Sequence, residues 1–429
     1  MSLNNYESSF VSKIIAIPSV GGSPEPGMPY GKAPHDALIT FLKEAEAEGF
    51  RTGIIDDKVG YAEYGDGDRM IGIVCHLDVV PEGKGWETPA FELTEKDGAM
   101  YGRGIIDDKG PACASYFAMK RLKDSGLFPS CRVRLILGSD EERTCDCVAT
   151  YAAKGEIPSF AITPDAEFPV IFAEKGILQI KLSDKVKTGI TATAGSAPNM
   201  VPCEAEIQYE GAVTRTSGKT AHASRPELGD NAIISLVNGL DDEVFDNSQM
   251  LRFIKDNIAG ADAVSFTGCT ITDDSGSVTY NPAILRIDDE GESLVIDIRY
   301  PVSASNDDII SHISNMALPY GIDITELNHM KPLYKDKNTS EIRILTEIWA
   351  ENMHRFDGFK PEYKDKYSEP IAVGGGTYAR HLPNTIAFGP QAPWAEDQCH
   401  QANEHLSVND FEVCIDMISE YIKRLGSRS

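Results

Sequence analysis

The sequence predicts an α/β protein: a mixed, mostly parallel sheet with helices on both faces, interrupted by an inserted α+β lid domain. Three observations carry this reading. A continuous apolar run at 70–75 suits a strand covered on both faces, and 133–137 reads as a further short buried strand. Helical patterns lie between such runs, as parallel crossovers require. From about Glu174 the texture turns to alternating strand-like segments and turns, and near Pro332 the α/β pattern resumes.

In chain order, 70–75 is the first clear buried strand. Pro111 stands at a first helical position, with Ala112, Tyr116, Met119 and Leu122 at helical spacing and Gly126 as the stop. Strands follow at 133–137 and 160–163. The insertion carries helices over 231–240 and 307–316, and its segments Asn199-Met-Val-Pro and Asn281-Pro share a short likeness that points to internal duplication. After 332 come a helix over 340–354, a Gly-rich turn, a strand over 385–388 and a closing helix opened by Ser407. The expected boundaries are therefore 1–173 and 332–429 for one discontinuous catalytic domain and 174–331 for the lid.

Composition narrows the function. A chain of 429 residues with 41% hydrophobic and 25% charged residues is globular and long enough for two or three units. The formal charge of −26 sets up a negative field without a Lys/Arg stripe, which argues against a nucleic-acid partner. No stretch reaches the roughly 18 to 20 apolar residues that span a bilayer, and Met1 to Phe10 lacks a basic and an apolar region, so a cytoplasmic protein without membrane association is expected. The nine Cys are an odd number, and Cys145-x-Cys147 has no second pair at finger spacing; free thiols are expected.

His, Asp or Glu residues close several predicted strands: His76-Leu-Asp78, Asp107-Asp108, Asp140-Glu141-Glu142, Asp165 and His400. Ligands bind beyond strand carboxyl ends in open α/β sheets, so residues distant in sequence can meet there. Taken singly, each is an ordinary solvated loop. Together, carboxylates crowded at apolar strand ends repel one another and resist desolvation unless a cation compensates them. Imidazole and carboxylate donors without thiolate suit Zn2+, with Mn2+ or Co2+ as substitutes.

The ordered motifs His76-Leu-Asp78-Val-Val-Pro81, Gly102-Arg-Gly-Ile-Ile-Asp107-Asp108-Lys-Gly110, Asp140-Glu141-Glu142, Thr163-Pro-Asp165-Ala-Glu-Phe-Pro, Gly218-Lys-Thr-Ala-His222-Ala-Ser-Arg-Pro, Asp297-Ile-Arg299-Tyr-Pro, Gly374-Gly-Gly-Thr377-Tyr-Ala-Arg380 and Asp397-Gln-Cys-His400-Gln-Ala-Asn-Glu run through nearly the whole chain. In this set the sequence resembles the aminoacylase/carboxypeptidase/dipeptidase family of co-catalytic zinc peptidases, and within it the dipeptidase V and carnosinase-like types. The resemblance implies two divalent metal ions, His76 and Asp165 on one, Glu142 and His400 on the other, and Asp107 bridging them. It implies a cis peptide between Asp107 and Asp108, and a supporting carboxylate, Asp78, that orients His76.

It further implies that Glu141 is the general base for a metal-bridging hydroxide and returns the proton to the leaving amine. His222 would stabilise the oxyanion, and Arg299 would anchor the substrate's carboxylate by a bidentate pair. Gly375, Gly376 and Thr377, at an expected helix N-terminus, would offer that carboxylate backbone donors, and Asn199 would contact substrate. A phosphate loop is the rival reading of this turn, but it lacks a Lys-Ser/Thr ending.

The expected activity is dipeptide hydrolysis with a small peptide as partner. The alternatives are an N-acyl-amino-acid deacylase such as a succinyl-diaminopimelate desuccinylase, and a non-catalytic peptide-binding scaffold. The length of the insertion favours a self-sufficient monomer and leaves a homodimer open. Arg143-Thr144 departs from the small residue and Gly that family members carry after the Glu pair, with substrate choice as the expected consequence.

Overall fold

The computed structural model describes residues 3–127 and 129–427. The chain forms two compact units. The first runs through Phe172, resumes over Lys335–Ile371 and continues from Thr377; the second comprises Ala173–Tyr334 and the short segment Ala372–Gly376.

The first unit is built on a sheet of β1 (Arg51–Ile55), β2 (Val59–Tyr64), β3 (Met70–His76), β4 (Arg132–Gly138), β5 (Phe160–Thr163), β6 (Val170–Glu174) and β7 (Thr385–Phe388), in the order β1-β2-β4-β3-β5-β7-β6. Its centre is parallel, through β4–β3, β3–β5 and β5–β7. The flanking pairings β1–β2, β2–β4 and β7–β6 are antiparallel. Every residue of β3 and β5 is buried, which is why these strands read as unbroken apolar runs.

Helices cover both faces: α1 (Asn5–Ile15), α2 (Lys32–Ala47), α3 (Lys109–Asp124), α4 (Asp146–Lys154), α5 (Ser340–Asn352) and α6 (Val408–Gly426). Successive residues of β2 show the two faces, because side chains alternate along a strand. Val59 and Tyr61 pack with Cys147, Val148 and Tyr151 of α4. Gly60 lies under α2, where an added Cβ would stand 2.7 Å from Leu42 and 2.9 Å from Leu38. Ser407 opens α6 by accepting the N–H of Asp410 at 2.9 Å.

Two local readings change. Helix α3 starts at Lys109, so Pro111 is its third residue rather than its first; the first helical bond already runs from Ala112 N–H to the Asp108 carbonyl at 2.9 Å. A proline is still tolerated there, because N–H groups of the first turn have no intrahelical partner. Helix α1 was not anticipated, although Asn4 and Glu7 form a capping box ahead of the buried residues Phe10, Val11, Ile14 and Ile15.

The second unit contains a seven-stranded antiparallel sheet, in the order Ala212–Ser217, Glu204–Tyr209, Thr191–Ala194, Thr279–Asp288, Gly291–Tyr300, Gly176–Asp184, Asp323–Met330. Alternate residues Leu178, Ile180 and Leu182, and Leu294, Ile296 and Ile298, face one core. Ile233 and Leu236, Phe253 and Ile254, and Ile309 and Ile313 from three helices fill it. Asn231 donates to Asn281 Oδ1 at 2.9 Å, and Asn281 donates to the Met200 carbonyl at 2.9 Å, so the two Asn-bearing segments singled out in the sequence meet. The nine Cys are free thiols. Among the described residues no helix is long and apolar enough to cross a membrane.

Glu292 is a charged residue inside this unit, 1% exposed. Its Oε2 accepts the Met250 N–H at 3.1 Å, whereas Oε1 has no partner and its cross-strand neighbour is Asp184. Burial, aided by the Asp184 charge, pushes its carboxyl up to about 7 against hydrogen bonds from Ser248 and Met250. A carboxyl raised on folding leaves stability intact below its unfolded pKa and removes it as pH climbs through the folded value. Unfolding by urea at pH 5 and pH 8 is expected to show a loss on the order of 3 kcal/mol across that interval from this group. Glu292→Gln is expected to flatten the difference; an unchanged pH dependence in the variant would refute the assignment.

Candidate metal centre

Three neighbouring parallel strands deliver the first side chains. His76 ends β3, Asp140-Glu141-Glu142 follow β4, and Asp165 follows β5, so all three segments leave the sheet at the same strand ends. Asp107 closes the loop that leads into α3, and its peptide bond to Asp108 is cis, in line with the resemblance. His400 lies ahead of α6 with φ of 63°.

The structure gathers these residues. His76 Nε2 stands 3.0 Å from Asp107 Oδ1 and 3.7 Å from Asp165 Oδ1. His400 Nε2 stands 3.1 Å from Asp107 Oδ2 and 3.2 Å from Glu142 Oε2. Asp107 thus turns one oxygen to each imidazole. Donor atoms around a tetrahedral cation with bonds of about 2.0–2.1 Å lie about 3.3 Å apart, so the observed spacings suit ligand cages as well as hydrogen bonds. His76, Asp107 and Glu142 offer ligand atoms all within 4.8 Å of one another, as do His76, Asp108 and Asp165.

The supporting contacts differ in one respect from expectation. The Asp78 carboxylate is 3.5 Å from His76 Nδ1, whereas the Asp78 carbonyl is 2.9 Å from it. An Nδ1–H donated to that carbonyl turns Nε2 toward Asp107 and Asp165. The Asp78 carboxylate instead accepts the N–H groups of Glu141 and Glu142, each at 3.1 Å, and so shapes the turn that carries both glutamates. Asp108, unassigned from the sequence, accepts the His76 N–H at 2.9 Å.

Burial and the crowding of acids shift the titration of several groups in the cluster. Burial, followed by the Asp165 charge, raises the Glu141 carboxyl well above its ordinary range. Burial also pushes Asp165 up to about 6 despite His76. Asp107 goes the other way: burial raises it, but hydrogen bonds from His400 and His76 outweigh that and hold it below the usual carboxylate range. Hydrogen bonds to Asp107 and Glu142 push His400 up to about 11. The carboxylates thus push both imidazoles toward their charged form, and a cation taken up there would displace those protons.

Arg143 does not crowd the centre. Its guanidinium donates to the Gly22 carbonyl at 3.1 Å, and Thr144 donates to the Asp140 carboxylate. The close fit of Arg143 against Gly21, where an added Cβ would meet it at 2.5 Å, holds it to that loop.

The residues expected to contact substrate form a separate string in the second unit. Arg299 donates to Asp297 through Nε (2.6 Å) and Nη2 (3.1 Å), and to the Gly374 carbonyl through Nη1 (2.6 Å). Gly374 lies against Ser224, with room for no Cβ, since that atom would come within 2.7 Å. Ser224 Oγ is 2.7 Å from His222 Nδ1, and the Ala223 N–H donates to the Asn199 carbonyl at 2.8 Å. Asp297 and Ser224, which lie within the motifs that carry the resemblance, hold Arg299 and His222; an acid two residues before an Arg on a strand is the sequence signal for the first. The turn through Gly375, Gly376 and Thr377 does not open a helix. Thr377 accepts the Ala379 N–H at 3.1 Å and caps only the 3-10 turn Tyr378–Arg380, too short to present a row of N–H groups.

A parallel-centred α/β sheet with imidazoles and carboxylates converging at its strand ends defines a metal-dependent hydrolase. The chain belongs to peptidase family M20/M25/M40, whose pattern matches residues 72–424. It is 32% identical over 426 residues to "Putative dipeptidase YtjP" of Bacillus subtilis (strain 168), covering 90% of this chain and 89% of that protein. Its fold is shared with aminoacylhistidine dipeptidase from Vibrio alginolyticus (TM-score 0.63, 11% identity, 98% of this chain and 96% of that one). Human carnosine dipeptidase 1 shares it as well (TM-score 0.62, 13% identity, 99% and 97%). The protein is accordingly a metallopeptidase, and its family uses divalent metal.

Zinc returned to chelator-treated protein is expected to raise the unfolding midpoint, by about 4 kcal/mol of stability when zinc is a thousandfold above its dissociation constant. Asp107→Ala is expected to lose most of that gain in a thermal-shift titration. A variant that gains as much as the wild type would show that Asp107 holds no cation.

Proposed function

We propose that the protein hydrolyses the amide bond of dipeptides with a pair of divalent cations, zinc foremost. One observation carries the reading: Asp107 addresses two imidazoles with its two oxygens, with Asp165 beside the first and Glu142 beside the second. His76, Asp165 and one Asp107 oxygen would hold one cation, and His400, Glu142 and the other oxygen the second. The donor set of imidazole and carboxylate fits zinc, with manganese or cobalt as substitutes. When bound, such a pair supplies Lewis acidity and lowers the pKa of water.

Glu141 carries the proton. Its main chain is fixed by Asp78, its carboxyl is raised by burial and by neighbouring carboxylates, and it is not needed as a ligand. It takes a proton from the water that attacks the scissile carbonyl and delivers it to the departing amine nitrogen. His222, held by Ser224, donates a hydrogen bond to the carbonyl oxygen as negative charge grows there. Arg299 is 3% exposed and already bound to Asp297, so we assign it to holding the turn at Gly374 for the substrate's carboxylate. Asn199 joins the same string through Ala223. The names of the relatives, "Putative dipeptidase YtjP" of Bacillus subtilis and dipeptidases among the shared folds, support a small peptide substrate.

Glu141→Gln is expected to lower kcat at least a thousandfold with bound zinc unchanged, measured by steady-state hydrolysis of dipeptides and by metal analysis. Turnover retained in this variant would remove Glu141 from the chemistry. In a panel of dipeptides against N-acetyl and N-succinyl amino acids, preferred cleavage of the acyl compounds would replace the dipeptidase reading by a deacylase.

A further inference from the structure

Arg103 and Glu404 form an ion pair at 2.6 Å whose side chains are 2% and 1% exposed. A pair so buried loses more in desolvation than its attraction returns unless its other hydrogen-bonding capacity is used. Here most of that capacity is spent on the loops around the candidate centre, with Arg103 Nε the one guanidinium nitrogen left without a partner. The Glu404 carboxylate also accepts the N–H groups of Gly104 (3.0 Å), Ile106 (2.9 Å) and Asp107 (3.3 Å), and its carbonyl accepts the Gly102 N–H at 3.1 Å. Arg103 Nη2 reaches the carbonyls of Pro81 (3.4 Å) and Glu82 (3.3 Å), in the segment after Asp78. The neighbouring Asn403 accepts the Glu87 N–H at 2.7 Å and donates to the Gly85 carbonyl at 3.2 Å.

The segment from His400 to Glu404 is thus stapled to the loop that ends in Asp107 and to the loop that follows Asp78. His400 has little else to fix it: its side chain is 53% exposed and its backbone lies in the left-handed region. We propose that Arg103 and Glu404 are positioning residues, a buried latch that fixes the distance between the Asp107 and His400 loops and thereby sets the affinity of the cation site those two residues share. This rests on the metal-centre reading above. Neither residue touches a candidate ligand's side chain; Glu404 acts on Asp107 through its main chain and on His400 through the turn they share.

The test is Glu404→Gln, which keeps the shape and one acceptor oxygen but removes the charge opposite Arg103. Zinc affinity is read by competition with a chromogenic chelator, alongside the unfolding midpoint of chelator-treated protein. One of two zinc sites is expected to weaken about 10–100-fold, the range seen when supporting partners of ligands are lost. The metal-free midpoint of this single variant should fall, because Arg103 is left buried and unpaired, whereas kcat of the folded protein, lowered at limiting zinc, should return with excess zinc at constant KM. Arg103→Met combined with Glu404→Gln leaves no unpaired buried charge and provides a second variant with the same expected zinc deficit. Wild-type protein that takes up no zinc would sink the metal-centre reading and the latch with it. Wild-type protein that binds two zinc ions while Glu404→Gln binds both equally well would sink the latch alone. So would a loss in both variants that excess zinc does not restore, or a double variant that fails to fold, since either makes the pair a folding element only.

Discussion

Like charge gathered in a confined place is the constraint on which this structure turns. Asp107, Glu141, Glu142 and Asp165 arrive from separate segments at the ends of neighbouring strands, where burial already penalises ionisation. Nothing in apolar packing would assemble them. The carboxylates raise both imidazoles that face them, which relieves part of the repulsion, and divalent charge in the same place would relieve it better. The main chain supplies the rest: N–H groups are turned toward those carboxylates that lie around the cluster rather than in it.

The fold makes this concentration of charge affordable by placing it on a rigid support. The three strands that carry His76, the Glu141–Glu142 turn and Asp165 are hydrogen-bonded neighbours in one parallel array, with almost no exposed residue between them. Their ends cannot drift apart without breaking the sheet. Asp107 and His400 lack that support, since both come from loops, and that is where buried polar contacts accumulate. In the second unit the same division holds. An antiparallel sheet supplies Arg299 and Asp297, and short polar contacts then run through Gly374 and Ser224 to His222.

What the sequence made legible follows from this division. Strands β3 and β5 were readable because burial on both faces leaves an uninterrupted apolar run, whereas the ligand candidates were readable only as a set, since each His, Asp or Glu taken alone is an ordinary loop residue. The start of α3 was misplaced by two residues, since a proline is accepted anywhere in a first turn and does not mark its first position. Helix α1 was passed over although its cap was spelled out, because attention to apolar runs ranks a short amphipathic segment low. A helix after Gly376 was expected, but only a 3-10 turn follows, and of the glycines ahead of it Gly374 serves close approach to Ser224 while a Cβ added at Gly375 would meet nothing within 4 Å. The partner of a charged side chain was the least legible feature. Arg299 has the composition of an anchor for carboxylate, but residues two apart on a strand share a face, and Asp297 is the group it already holds.

Asp78 and Glu404 suggest a way to tell a ligand from its support when no cation is seen. Both are buried acids beside the cluster, and by composition either would pass for a ligand. Asp78 spends its carboxylate on two main-chain N–H groups, and Glu404 spends its own on a guanidinium and several N–H groups. Each oxygen already faces donors, so a cation would have to displace bonds that cost nothing to keep. Asp107, Glu142 and Asp165 face imidazole nitrogens instead, which a cation can join rather than replace, because the same nitrogens become its ligands once their protons leave. The distinction lies in which donors each carboxylate meets, and both kinds of acid are required: one group to hold charge, the other to hold the loops that bring charge together.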